Sequence, residues 1–210
     1  TMRPMLRDEL FQVARRELGA RISDTDREPG YLLSHGVRVA AIAEDVYTHC
    51  ASNGDPIYDD TMYAGALFHD IGKGYSDHHI TGSHILPIIL ADFADRIDLK
   101  RAARIVAHHC LREVGLDIEL AIAVVQDADM IDHFGAQGVW LGLQRAARNN
   151  VRQPNCLDTI EARRTEDRVA RCRELINLEY ARQLFDERAR YEADYYRRLE
   201  VELGALGRLS

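Results

Sequence analysis

Helical spacing runs through almost the whole 210-residue chain, and no stretch alternates apolar and polar residues as a half-buried strand must. No hairpin dipeptide or internal repeat interrupts it. The chain is therefore expected to be all-α. A first helix is expected over 5–18, with Leu6, Leu10, Val13 and Leu18 inward. The polar segment 23–30 ends in Pro29-Gly30, a turn signal. A second helix over 32–50 then carries Leu32, His35, Val39, Ile42 and Val46 on one face. Asn53-Gly54-Asp55-Pro56 breaks the chain again. The third helix, from Asp59, takes the run Ala64-Gly65-Ala66-Leu67-Phe68 into His69-Asp70, and Gly72 and Gly74 end it. Further helices are expected at 82–94, 99–110, 118–133 and 136–149. Gln153-Pro154-Asn155 reads as a linker, so residues 1–150 form the core. Residues 151–210 form an extension that packs on it, with a long charged helix from 159 or 168 to 203.

Composition removes several function classes. Hydrophobic residues make up 46% and charged residues 29% of the chain, ordinary globular usage that makes disorder a poor reading. The net charge of -7 offers no basic footprint, so a nucleic-acid polymer is not an expected partner. A bound cation can still supply local positive charge for a small phosphorylated ligand. Cys50, Cys110, Cys156 and Cys172 form no CxxC pair and are expected to be reduced thiols. No run reaches the roughly 18 apolar residues a membrane span needs, and no signal-peptide core stands at the N-terminus. A cytoplasmic location is expected.

The chemistry lies in histidines and acids. Six of the nine histidines, His69, His78, His79, His84, His108 and His109, fall between positions 69 and 109. His35 taken alone reads as a satisfied core histidine. His69-Asp70 is harder to treat that way, because a carboxylate after five small or apolar residues is costly to bury without a pair or a metal. A helix cap or a salt bridge with Lys73 is the other account, yet a carboxylate at a helix C-terminus opposes the dipole. A cation removes that conflict. In the run 121–133, Ile122, Val125, Asp129, Asp132 and His133 share a helical stripe. Two acids continuing a buried stripe need a partner, unless that turn is simply solvated. Asp127 is expected at the rim or in solvent. Together these residues suit a divalent ion with imidazole and carboxylate ligands: manganese, iron, cobalt, nickel or magnesium. The lack of thiolates argues against a structural zinc site.

His35-Gly-Val-Arg-Val-Ala, Leu67-Phe-His69-Asp70-Ile-Gly-Lys73 and Asp127-Ala-Asp129 together resemble the H…HD…D signature of the HD-domain superfamily, over about residues 30–145. The resemblance implies an all-α HD-domain helical bundle, here with a long C-terminal helical extension. It also implies a metal-dependent phosphohydrolase acting on a phosphoester or phosphoanhydride, in many members that of a nucleotide. Carried over residue by residue, it makes His35, His69, Asp70 and Asp129 metal ligands. Asp127 to Gly138, and the tail from Leu178 to Arg188, are similar to the same parts of small bacterial HD hydrolases.

Some members of the superfamily hold a second ion. The string His78-His79-Ile-Thr-Gly82-Ser-His84-Ile-Leu86 resembles their H-x-x-x-G-x-x-I-L element and selects His78; His108-His109 resembles their histidine pair. One or two ions are therefore implied. The short connection from His69 to His78, and the lack of a GYP string after His109, count against a cyclic-dinucleotide substrate. His79, His84 and the remaining histidines read also as polar surroundings or surface imidazoles.

A metal lowers the pKa of its water from 15.7 to roughly 7, giving a hydroxide for in-line attack on phosphorus. Besides Asp70, Lys73 is expected to contact phosphate and Asp132 to orient the water or a ligand. Arg104, Arg112 and Arg145 are either further phosphate contacts or surface charges. In the tail, Tyr191 and Tyr195 beside Leu184, Arg188 and Leu199 are expected to pack on the core; an exposed apolar face would instead form a homodimer. Two other functions fit the same scaffold. One is a dinuclear iron oxygenase, as in the inositol-oxidising branch; the other is a non-catalytic, metal-dependent nucleotide sensor.

Overall fold

The computed structural model of the chain describes residues 5–21, 28–52, 55, 57–112, 118–150 and 166–206. Among them there are α-helices and no strand. They are α1 (Leu6–Leu18), α2 (Tyr31–Cys50), α3 (Asp60–Leu67), α4 (His78–Ile89), α5 (Leu99–His108), α6 (Leu120–Asp132), α7 (Ala136–Arg148), α8 (Glu166–Glu174) and α9 (Glu179–Leu206), with a 3-10 turn at Ala91–Phe93. The all-α expectation holds. No helix among the described residues is long and apolar enough to cross a membrane. Cys50, Cys110 and Cys172 form no disulfide there. The linker at 153–155, Cys156 and a tail start at 159 lie outside the described residues.

Caps set several of the boundaries. The Asp59 carboxylate accepts from the Met62 amide at 2.9 Å, and the Asp98 carboxylate from the Arg101 amide at 2.9 Å. Each such cap stabilises its helix by about 1 kcal/mol. The fourth helix starts at His78, four residues before the expected Gly82, because Asp77 takes a left-handed conformation (φ 48°) that turns the chain into the helix. It ends at Ile89, shortly after Pro87, whose missing N–H removes one helical bond. The tail is two helices, with a break at Leu175–Leu178 that the unbroken charge pattern did not announce.

The chain divides into two compact units, Thr1–Asp129 and Met130–Ser210. In the first, α5 packs on α3 and α4, and α2 on α1 and α3. Its core holds Leu10 and Leu18 of α1, Leu32 and Val39 of α2, Met62 and Leu67 of α3, Leu86 of α4 and Ile105 of α5, all fully buried. In the second unit, Val139 and Ala146 of α7 share a cluster with Tyr196 of α9, flanked by Leu143, Leu199 and Leu203. The Gly135 amide donates to Glu192 Oε2 at 3.1 Å, and Phe134 meets Phe185 at 4.4 Å between ring centroids. The inward face of α9 therefore runs through Phe185, Glu192 and Tyr196. Tyr191 and Tyr195 point outward instead, a correction of one residue, or about 100° around the helix.

Candidate metal centre

The turn after α3 places the His69-Asp70 pair. The α3 helix stops at Leu67, so both residues lie just beyond it in tight turns rather than on its last turn. Two bonds hold this turn from outside: Arg21 Nη1 donates to the Ile71 carbonyl at 2.5 Å and Nη2 to the Lys73 carbonyl at 2.7 Å. Backbone contacts then bring in the neighbouring helices. Gly36 lies against the Leu67 carbonyl oxygen so closely that a Cβ there would collide with it. This lets α2 deliver His35 from the adjacent position. Gly72 and Gly82 touch in the same manner, which seats the N-terminus of α4, and with it His78, beside Asp70.

His35, His69 and His109 are buried, and the Nε2 atoms of His35 and His69 stand 3.1 Å apart. His35 Nε2 lies 3.2 Å from Asp129 Oδ1 and stacks at 5.4 Å on Tyr31. His69 Nε2 is 3.9 Å from both Asp129 Oδ1 and Asp70 Oδ2. The other Asp70 oxygen, Oδ1, is 3.5 Å from both His78 Nε2 and His109 Nε2, which are themselves 3.3 Å apart. Asp70 thus turns one oxygen toward each half of the cluster.

The imidazoles are pre-set for ligation. His69 Nδ1 donates to the Ala66 carbonyl at 2.8 Å and His109 Nδ1 to the Val106 carbonyl at 2.7 Å. A carbonyl can only accept, so in the neutral ring the proton sits on Nδ1 and the Nε2 lone pair faces the cluster. Burial pushes His69 down to about 4, so it is neutral at pH 7. Burial, then Lys73, also lowers His78. Burial opposes ionisation of Asp70, but the charge of His69 when protonated, a hydrogen bond from His109 when its Nε2 also carries a proton, and the Lys73 ammonium outweigh it and hold its carboxyl well below the usual carboxylate range. Lys73 Nζ lies 3.5 Å from both Asp70 oxygens. Neutral nitrogen lone pairs and ionised carboxylates packed edge to edge repel one another, and a divalent cation converts that repulsion into attraction. Donor atoms of His35, His69 and Asp129, and of His69, Asp70 and His109, lie within 4.8 Å of one another in each group. The donor set fits a divalent ion.

The sequence-derived residues separate as follows. His35, His69, Asp70, His78, His109 and Asp129 come together. His108 does not: it is exposed on α5, with Nδ1 on the Arg104 carbonyl, so its expected place in the cluster is corrected to His109 alone. Lys73 is beside Asp70. Asp132 is fully buried at the end of α6 and belongs to the second unit. Asp127 is also fully buried, not at the rim, because α6 is enclosed all round over 121–128. Two supports escaped sequence reasoning, and a third, Arg112, was read there only as a phosphate contact or surface charge. Arg21 lies in an irregular stretch that carries no periodic signal. Gln126 donates from Nε2 to the His108 and Leu111 carbonyls at 2.8 and 2.9 Å, closing the end of α5 at His109; a lone amide within an apolar run was its visible sign. Arg112 donates from Nη2 to Asp129 Oδ2 at 3.0 Å, and its Nη1 is buried with no hydrogen-bond partner among the described residues.

Residues 32–133 match the HD-domain family, a span from α2 to the end of α6 that contains the whole cluster. No curated protein is close enough in sequence to match the chain. Among solved structures, Bacillus subtilis YpgQ in complex with ADP is similar at a TM-score of 0.62 and 21% identity, over 93% of this chain and 96% of that one. A predicted HD-superfamily hydrolase from an uncultured Thermotogales bacterium gives 0.61 and 19%, over 95% and 93%. An HD-superfamily hydrolase from Bacillus thuringiensis gives 0.63 and 18%, over 94% and 96%. At these identities the likeness is one of fold.

Proposed function

We propose, from the match of residues 32–133 to the HD-domain family, that the chain is a metal-dependent phosphohydrolase cleaving a phosphoester or phosphoanhydride of a nucleotide or related small molecule. One observation carries the reading: three buried imidazoles, from His35, His69 and His109, converge with the carboxylates of Asp70 and Asp129. A bound divalent ion supplies hydroxide at neutral pH and neutralises charge on phosphoryl oxygens. The protein's own groups do the rest. Tyr31 and the Ala66 and Val106 carbonyls hold the imidazole rings. Lys73, half exposed beside Asp70, binds a phosphate oxygen when substrate arrives. The Nη1 of Arg112, buried and unpartnered among the described residues, offers a second donor next to Asp129. ADP bound to YpgQ, a protein of similar fold, supports a nucleotide as the substrate class.

The test is metal analysis of the purified protein, joined to a phosphate-release screen over nucleotides, dinucleotides and simple esters. The expected result is bound divalent metal, release from at least one nucleotide, and loss of both metal and activity in His69→Ala and Asp70→Ala. Full metal content in those two variants would overturn the reading. Bound iron with a ligand-dependent visible absorption and no phosphate release would favour an oxygenase.

A further inference from the structure

One half of the cluster contains a donor of a different chemical kind. Cys110 follows His109 in the turn that ends α5, and one donor atom from each of His78, His109 and Cys110 lies within 4.8 Å of the others. The nitrogens of His78 and His109 are 3.3 Å apart and each is 3.5 Å from Asp70 Oδ1. Two ligand atoms about 2.05 Å from a tetrahedral ion stand about 3.3 Å apart, so these three atoms already span nearly one face of such a tetrahedron. The Cys110 sulfur, within 4.8 Å of a donor nitrogen of both His78 and His109, is a soft atom placed to serve as the fourth ligand. The opposite group, His35, His69 and Asp129, contains nitrogen and oxygen only.

We propose that Cys110 is a ligand at this second position, so that Asp70 Oδ1, His78, His109 and the Cys110 thiolate form a pocket for a thiophilic divalent ion of the zinc or cobalt class. The inference rests on the metal-centre reading above. Soft thiolate donors select such ions over magnesium or manganese, which carboxylates and waters suit better. The two halves of one cluster therefore differ in preference. On binding, the thiol proton is released to solvent and the sulfur enters as thiolate.

The experiment is a cobalt(II) titration of the full chain after chelator treatment, read by equilibrium dialysis and by the near-ultraviolet thiolate-to-cobalt charge-transfer band. Two ions per chain are expected, with the band tracking one of them. Cys110→Ser should abolish the band and weaken one of the two ions at least about tenfold, while leaving the helical circular dichroism unchanged. Cys172→Ser, on α8, should keep the band. Two bound ions without a charge-transfer band, a single bound ion, or a band that persists in Cys110→Ser would each overturn the proposal and leave the phosphohydrolase reading standing. No bound ion at all, with cobalt or in the metal analysis, would overturn both.

Discussion

Gly36→Ala tests whether backbone contact sets the spacing of the metal centre. At Gly36 a Cβ would collide with the Leu67 carbonyl oxygen, a backbone atom that no rotamer change can move aside. Relieving the clash requires α2 to retreat from the end of α3 by about 1 Å, the order of shift that overpacked cores adopt. Two stability effects then oppose each other. Overpacking costs about 1–3 kcal/mol, and replacing a mid-helix glycine by alanine returns up to about 1 kcal/mol. The net loss is about 0–3 kcal/mol, or up to roughly 10 °C in melting temperature for a chain of this size. Metal binding has no such offset. His35 precedes Gly36 and stands 3.1 Å from His69 and 3.2 Å from Asp129. Ligand distances tolerate only about 0.2 Å, so affinity should fall about 10–100-fold, the range seen when a ligand loses its positioning. Competition titration against a fluorescent chelator reads the affinity, and circular dichroism melts in chelator read the stability. Gly204→Ala is the control, since a Cβ there meets nothing within 4 Å; it should keep metal affinity and gain slightly in stability. If Gly36→Ala behaved like Gly204→Ala in both assays, the contact would not be what spaces His35 from His69.

Arg21→Met removes both donors to the Ile71 and Lys73 carbonyls. It should cost about 2 kcal/mol in urea unfolding and weaken metal binding about tenfold; unchanged metal affinity would show that the turn holds Asp70 without it. His109→Ala should strip metal from the cluster, whereas His108→Ala, at an exposed ring, should leave metal content and melting temperature alone; the reverse result would exchange their positions. The pH dependence of the metal-free protein follows from His69, whose folded pKa of about 4 lies below its ordinary 6.5. The unfolded chain takes up that proton first, so the stability from neutral His69 is complete above pH 6.5 and is lost as pH falls toward 4. The loss is about 3 kcal/mol, and Asp70, whose carboxyl is also depressed, adds to it lower in the range. Urea midpoints measured from pH 7 to 4 should fall accordingly, with a flatter profile in His69→Gln; equal slopes in the two proteins would refute the assignment.

Helix positions were legible because period and punctuation agree: Pro29-Gly30 precedes α2, and Asp59 and Asp98 cap α3 and α5. His69, Asp70 and Asp129 stood out as candidates because a carboxylate in a buried run demands a partner; His35, which alone reads as a core histidine, joined them only through the HD resemblance. What sequence could not supply was rotation and closeness. Whether His108 or His109 faces inward depends on a 100° step around α5 near its end. The same step separates Tyr195 from Tyr196 on α9. Arg21 was invisible because its partners are carbonyls fifty and more residues away, which carry no residue-type signal.

The two oxygens of Asp70 have a thermodynamic consequence. They are joined through one Cβ–Cγ torsion, so an ion held at Oδ2 beside His69 would also fix Oδ1 beside His78 and His109. With two ions, as proposed above, occupancy of either half would lower the entropy still to be lost by the other, against the mutual repulsion of two cations. The linkage is reciprocal. Whichever ion is scarcer in the cell would govern, through a single carboxylate, how tightly the more abundant one is held.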